Sequence, residues 1–157
     1  MDFKEYEITI KENISEYVSD VKNVVDDGGM FFLKVSGKSM LPFLKDGKDT
    51  VLLKKSDEPS IYDVAFYVRQ SGGVVLHRIV AIHGDKFDFC GDNQTEIEKG
   101  IPKENIIAVM DAYIRDGKRY FCNSASYKIK SVLWVKTRIF RKFYRNLKIK
   151  IKYLVKR

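Results

Sequence analysis

The chain is short of the features that mark secreted, metal-bound or membrane-spanning proteins. It has two cysteines, Cys90 and Cys122, too few for a disulfide framework. No CxxC and no Cys/His cluster points to zinc, so neither a metal nor a cofactor is expected. Both thiols are expected to be buried and free, which fits a reducing, cytoplasmic setting. No stretch approaches the ~20 apolar residues that span a bilayer. The start, MDFKEYEITIKENISEY, is polar and acidic, so no secretory signal is expected. The C-terminal part lacks acid altogether: all 21 Asp and Glu residues lie at or before Asp116.

What is present suits one packed domain. The chain has 157 residues, 45% of them hydrophobic and 13% aromatic, enough for a core. Phe and Tyr dominate the aromatics, which favours strands. The net charge of +8 conceals an asymmetry. Residues 128–157 hold twelve of the 29 Lys and Arg, leaving residues 1–127 with 17 basic against 21 acidic side chains. A mildly acidic body thus carries a strongly basic tail, and such a tail seeks phosphate on lipid or nucleic acid.

Three segments follow: a helical one over 1–29, a β-domain over 30–127 and a basic amphipathic tail over 128–157. Ile14, Val18, Val21 and Val25 recur at three- and four-residue steps, predicting a helix over 13–27. Asn13 with Glu16 reads as its cap, and Gly28-Gly29 as its stop. From Met30 the texture becomes short strands divided by turns, at 30–35, 49–54, 63–69, 73–82, 86–90, 106–114 and 118–121. Turn signals such as Lys45-Asp46-Gly47, Ser71-Gly72-Gly73 and Asp116-Gly117 separate them. This spacing predicts a compact, coiled β-fold rather than a doubly wound one. In the tail, Val132, Val135, Ile139, Phe143 and Leu147 share one helical face. A helix is expected to about residue 147, and beyond it LKIKIKY fits helix or strand.

Three short motifs can carry chemistry. In Val35-Ser36-Gly37-Lys38-Ser39-Met40-Leu41-Pro42 a strand runs into a glycine, a serine and a proline-stiffened turn. Such a turn presents a hydroxyl at a strand end beside backbone N–H groups suited to an oxyanion. Gly37 is read as permitting close approach of a substrate backbone, and Pro42 as limiting the turn's freedom. In Val74-Val75-Leu76-His77-Arg78-Ile79-Val80 one histidine interrupts an apolar strand. It is either a satisfied core histidine or a general base. The only other histidine, His83, sits in a His-Gly-Asp turn and reads as a solvated loop residue. Gly91-Asp92-Asn93 is either a turn between strands or the source of a carboxylate that orients the base.

Taken in order, Gly-x-Ser-Met-x-Pro, His-Arg-Ile-Val and Gly-Asp-Asn resemble the serine peptidases of the signal-peptidase and LexA-type superfamily. The resemblance covers Met30 to about Ile114. It implies a twisted, mainly antiparallel β-structure with the serine at a strand end. It also implies a catalytic set of Ser39 as nucleophile, His77 as base and Asp92 as supporting acid. Gly37, Lys38, Met40 and Pro42 would shape the nucleophile turn, and the Ser39 N–H would serve the oxyanion. Lys38 is read as a surface or substrate-facing charge. The second acid of the family pattern falls where this chain has Glu96 and Glu98. The chain mixes two branches: Ser36 lies three residues before Ser39, as in LexA-type repressors, while a histidine stands where those repressors use lysine.

The resemblance implies a serine endopeptidase acting on a peptide, a protein or a leader segment. The alternatives are a LexA-like autocleaving regulator and a non-catalytic binding module on a membrane surface. Against a repressor, residues 1–30 offer one helix where a helix-turn-helix needs two. The tail interleaves Trp134, Phe140, Phe143, Tyr144 and Tyr153 with cations. That mix suits an anionic membrane surface first, a partner protein or packing on the chain itself second, and nucleic acid least. The expectation is a cytoplasmic protein, peripheral on the inner face of the membrane.

Overall fold

The computed structural model describes residues 14–144. Helix α1 (Ile14–Asp26) is followed by strands β1 (Phe31–Lys34), β2 (Thr50–Lys54), β3 (Val64–Val68), β4 (Val74–His83), β5 (Lys86–Cys90) and β6 (Glu98–Pro102). A 3-10 turn (Lys103–Asn105) leads into β7 (Ile106–Arg115), β8 (Lys118–Phe121) and helix α2 (Ala125–Lys136). All eight strands join one antiparallel sheet in the order β1-β2-β7-β3-β4-β5-β6, with β8 added beside β7. The expected class is therefore observed: a mainly β, antiparallel fold with a helix at each end.

The sheet coils because its pairings slip. Register shifts interrupt β2–β7, β3–β7, β4–β5 and β5–β6, and each such bulge bends a strand and increases its twist. Alternation then feeds two cores. One holds Val64 and Phe66 of β3, Leu76 of β4 and Met110 of β7, together with Tyr17, Val21 and Val25 of α1. The other holds Ala65, Tyr67, Ile79, Phe87 and Phe89. Helix α1 is not an appendage. Its Val21 and Val25 are fully buried, each worth roughly 1.5–3 kcal/mol, and Tyr17 meets Phe31 and Phe66 edge-on. Gly28, at φ +79°, ends the helix as its sequence suggests; Asn13, the expected cap, lies outside the described residues.

Two differences from the sequence reading have clear causes. Strand β6 was not expected, because EKGIP lacks alternation and contains a left-handed Gly100; it forms by pairing with β5. The last helix begins before the expected tail. Ser124 caps it, its side chain accepting from the Tyr127 N–H. Helix α2 packs on the body through Tyr127, Ser131 and Trp134. The boundary drawn at residue 128 thus falls inside α2. The helix stops at Thr137, and a second helical stretch covers 138–144. Leu147, Tyr153 and the alternating LKIKIKY segment lie outside the described residues.

Candidate active site

The turn after β1 carries Ser39. Val35 is held by the Asp49 carbonyl, 2.9 Å from its N–H, and Met40 is buried in the α1-side core. These anchors leave residues 36–39 projecting from the sheet. Gly37 stands at φ +88°, and its N–H donates to Asp46 Oδ1 at 2.9 Å. A Cβ there would meet nothing within 4 Å. The left-handed backbone, rather than the close approach expected from sequence, is what requires glycine. Lys38 is exposed, as read from sequence, and Pro42 is exposed and turned toward a different groove.

The Gly91-Asp92-Asn93 turn clasps this loop. The Asn93 N–H donates to the Ser39 carbonyl at 2.7 Å, and Asn93 Nδ2 donates to the Lys38 carbonyl at 3.1 Å. Gly91 is packed so closely that a Cβ would lie 2.8 Å from the Ser39 carbonyl oxygen. The Ser39 N–H donates to none of the described residues, which leaves it available to an oxyanion.

The Asp92 carboxylate does not go to His77. Both oxygens accept from Arg78, Nε to Oδ1 at 2.8 Å and Nη2 to Oδ2 at 2.7 Å. The pair is sealed from solvent, with side-chain exposures of 0% and 2%. Arg78 Nη1 also donates to the Tyr62 carbonyl and to Ser131 Oγ, and the guanidinium lies over the Phe43 ring. Trp134 Nε1 donates to the Asp92 carbonyl at 2.9 Å. Burial pushes the Asp92 carboxyl upward while Arg78 pulls it down. A buried guanidinium needs a carboxylate partner, and that requirement claims Asp92 before His77 can. Sequence reasoning missed Arg78, although an arginine inside an apolar strand ahead of a Gly-Asp turn was the available signal.

His77 is 3% exposed. The alternation of β4 sends Leu76 toward the α1-side core and puts His77 in register with Val75 and Ile79. The imidazole lies beside Tyr67, at a ring separation of 6.4 Å, in a hollow also lined by Phe89, Gln94 and Glu98. Glu98 accepts from Tyr67 Oη and from Arg69 Nε, each at 2.9 Å. Burial drives the His77 pKa down to about 4; the Arg69 cation adds to the fall and Glu98 opposes it. Of the two expected second acids, Glu98 is partly buried near the imidazole, whereas Glu96 is largely exposed. No hydrogen bond joins Ser39 Oγ to His77 among the described residues. Ser39 lines the α1-side cleft and His77 the hollow on the other face; Gly91 abuts the Ser39 carbonyl, and Gln94 lines the hollow of the imidazole.

Ser39 also closes one end of a cleft of about 180 Å³. Leu33 to Gly37 form one side and Val74 to Leu76 the other, with Tyr17, Met40 and Phe66 beneath. Strand β1 pairs with β2, and β4 pairs with β5 only from Arg78 onward, leaving the 74–77 edge open among the described residues. Unpaired N–H and C=O groups along such edges are a template for an extended peptide.

No group of three or more His, Cys, Asp or Glu among the described residues is arranged to hold a metal ion. No curated protein matches the chain at a significant level. A family model described as Peptidase S24-like matches residues 5–114, a span containing the serine turn, the β4 histidine and the Gly-Asp-Asn clasp. On that match the chain belongs to the Peptidase S24-like family.

Proposed function

We propose that the chain is a serine endopeptidase that takes an extended peptide into the cleft beside Ser39, along the open 74–77 edge of β4, and cleaves it at Ser39. Membership of the family supports a peptidase or self-cleaving role. The observation that carries the finer reading is the cleft itself, where the edge of β4 left open at 74–77 among the described residues runs beside a serine with an unengaged N–H. Ser39 Oγ attacks the scissile carbonyl, and the Ser39 N–H receives the oxyanion. His77 takes the hydroxyl proton and returns it to the leaving amine. A pKa of about 4 leaves the imidazole neutral at pH 7 but a weaker proton acceptor than an ordinary histidine, because burial disfavours its charged form. His77 faces the Tyr67 hollow whereas Leu76 and Ser39 line the cleft on the other face of the sheet, so His77 acts as base only if pairing with substrate turns the open 74–77 edge over, as a one-residue slip of a strand does. Asp92 acts by holding the loop through Asn93 and Arg78, not by touching the base.

A fluorophosphonate probe tests the head of this mechanism. Ser39 should be labelled in the native chain and not in Ser39→Ala, and His77→Ala should lose nearly as much, since members of a dyad act as a unit. Labelling that is unaffected by His77→Ala removes the histidine from the mechanism. No labelling, with no cleavage of a peptide library, favours a non-catalytic module. Incubating the pure protein separates action in trans from self-cleavage.

The reading includes peripheral contact with an anionic membrane. No helix among the described residues is long and apolar enough to cross a bilayer. Ile139, Phe140, Phe143 and Tyr144 are each at least two-thirds exposed, next to Lys142 and Arg141. That composition suits an interface between water and lipid.

A further inference from the structure

A groove lies away from Ser39, between the β7–β8 hairpin and α2. Its volume is about 830 Å³. Its walls are aromatic: Tyr113 and Tyr120 stack at 5.0 Å on the hairpin side, and Trp134 and Tyr127 face them from α2. No carboxylate of the described residues lines it. Of its three cations, Arg115 is committed to Asp49, whereas Arg119 and Lys130 are exposed and make no ion pair among the described residues. Tyr120 and Phe121 at its rim are 42% and 47% exposed, and Leu133 is 57% exposed.

We propose that this groove seats the headgroup of an anionic phospholipid, with Arg119 and Lys130 meeting the phosphate and the aromatic walls meeting the glycerol and upper acyl carbons. Two observations select a lipid surface over an acidic peptide. Unpaired cations above an acid-free aromatic wall match an anion with an apolar body. The exposed apolar residues also continue past the groove, from Thr137 on its wall to Ile139, Phe140 and Phe143, where a membrane would cover them and a peptide within the groove would not. The proposal rests on the peripheral-membrane part of the reading above and is independent of the peptidase part.

Trp134 is the only tryptophan of the chain, so its emission reports on the groove directly. The full-length chain is titrated with vesicles of phosphatidylglycerol in phosphatidylcholine and with vesicles of phosphatidylcholine alone. Soluble short-chain phosphatidylglycerol, inorganic phosphate and a Glu/Phe-rich peptide are run in parallel. The expected result is a blue shift of several nanometres with both forms of phosphatidylglycerol and none with phosphatidylcholine alone. Apparent vesicle affinity should weaken at least tenfold in Arg119→Glu/Lys130→Glu and in Tyr120→Ala/Phe121→Ala. All four side chains are exposed, so both variants should stay folded, the charge variant with the native unfolding midpoint and the aromatic one with a small fall from loss of the Tyr113–Tyr120 stack. Undiminished vesicle flotation in both variants, with no response of Trp134, overturns the groove and leaves the peripheral reading standing on residues beyond it. Absence of flotation by the native chain ends both. A full response to inorganic phosphate alone, or to the acidic peptide and not the vesicles, also overturns the proposal.

Discussion

Replacing Asp92 by Asn separates two roles that a carboxylate in this motif can have. In the structure its oxygens are spent on Arg78, in a pair with almost no solvent access. The amide keeps the shape but loses the charge and turns an NH2 group toward a guanidinium that can only donate. Leaving one member of a buried pair uncompensated costs about 3–5 kcal/mol. In a domain of this size each kcal/mol moves the midpoint by roughly 2–4 °C, so Tm should fall by roughly 6–20 °C. Urea unfolding followed by Trp134 emission measures the loss. The informative companion is Arg78→Leu/Asp92→Leu, which removes both charges. Replacing a buried pair by apolar side chains is often neutral, so the double variant should recover most of the stability. Labelling at Ser39 should return with it, because the Asn93 clasp uses the backbone and a different side chain. The reasoning is refuted if Asp92→Asn unfolds within 1 kcal/mol of the native chain yet cannot be labelled. It is equally refuted if the double variant is stable and inert. Either result would mean that the carboxylate serves the imidazole.

Three further outcomes follow from the same geometry. His77 has a folded pKa of about 4 against an ordinary 6.5, so the unfolded chain binds the proton first as pH falls. Stability should be full above pH 6.5 and drop by roughly 3 kcal/mol on the way to pH 4; urea midpoints across that range should flatten in His77→Leu. If His77 is the base, labelling of Ser39 should rise with pH through about 4, far below the limb of an ordinary histidine; a limb near 6.5 would mean a different environment or a different base. Gly91→Ala forces a Cβ to 2.8 Å from the Ser39 carbonyl oxygen and 2.9 Å from Gln94 Oε1. Labelling should therefore fall at least tenfold for a stability loss of about 1–3 kcal/mol, and native labelling would show that the loop tolerates displacement.

Much of this architecture was legible because its signals are local. Alternation placed seven of the eight strands, and the repeat Val18, Val21, Val25 placed α1, since each pattern reflects a period of the backbone. Strand β6 was hidden because only its pairing with β5 makes it a strand. The start of α2 was missed because Ser124 acts through one capping bond, and the packing residues Tyr127, Ser131 and Trp134 interrupt rather than extend the apolar repeat. At the site, the serine turn and the Gly-Asp-Asn turn were visible as motifs, and the structure brings their backbones together. What the carboxylate touches was not legible. The choice between His77 and Arg78, adjacent residues on opposite sides of one strand, depends on which face of the coiled sheet the turn folds over. Composition does not encode that choice.

The short stretch at which β4 has lost its neighbour also acts as a ruler. At 3.3 Å per residue, the four positions from Val74 to His77 give an aligned peptide about 13 Å of ladder. Side chains of such a peptide alternate, so every second one dips toward Tyr17, Met40 and Phe66 while those between face out. Selectivity would then be confined to one or two small apolar positions on the approach to Ser39, and indifferent to the residues between them.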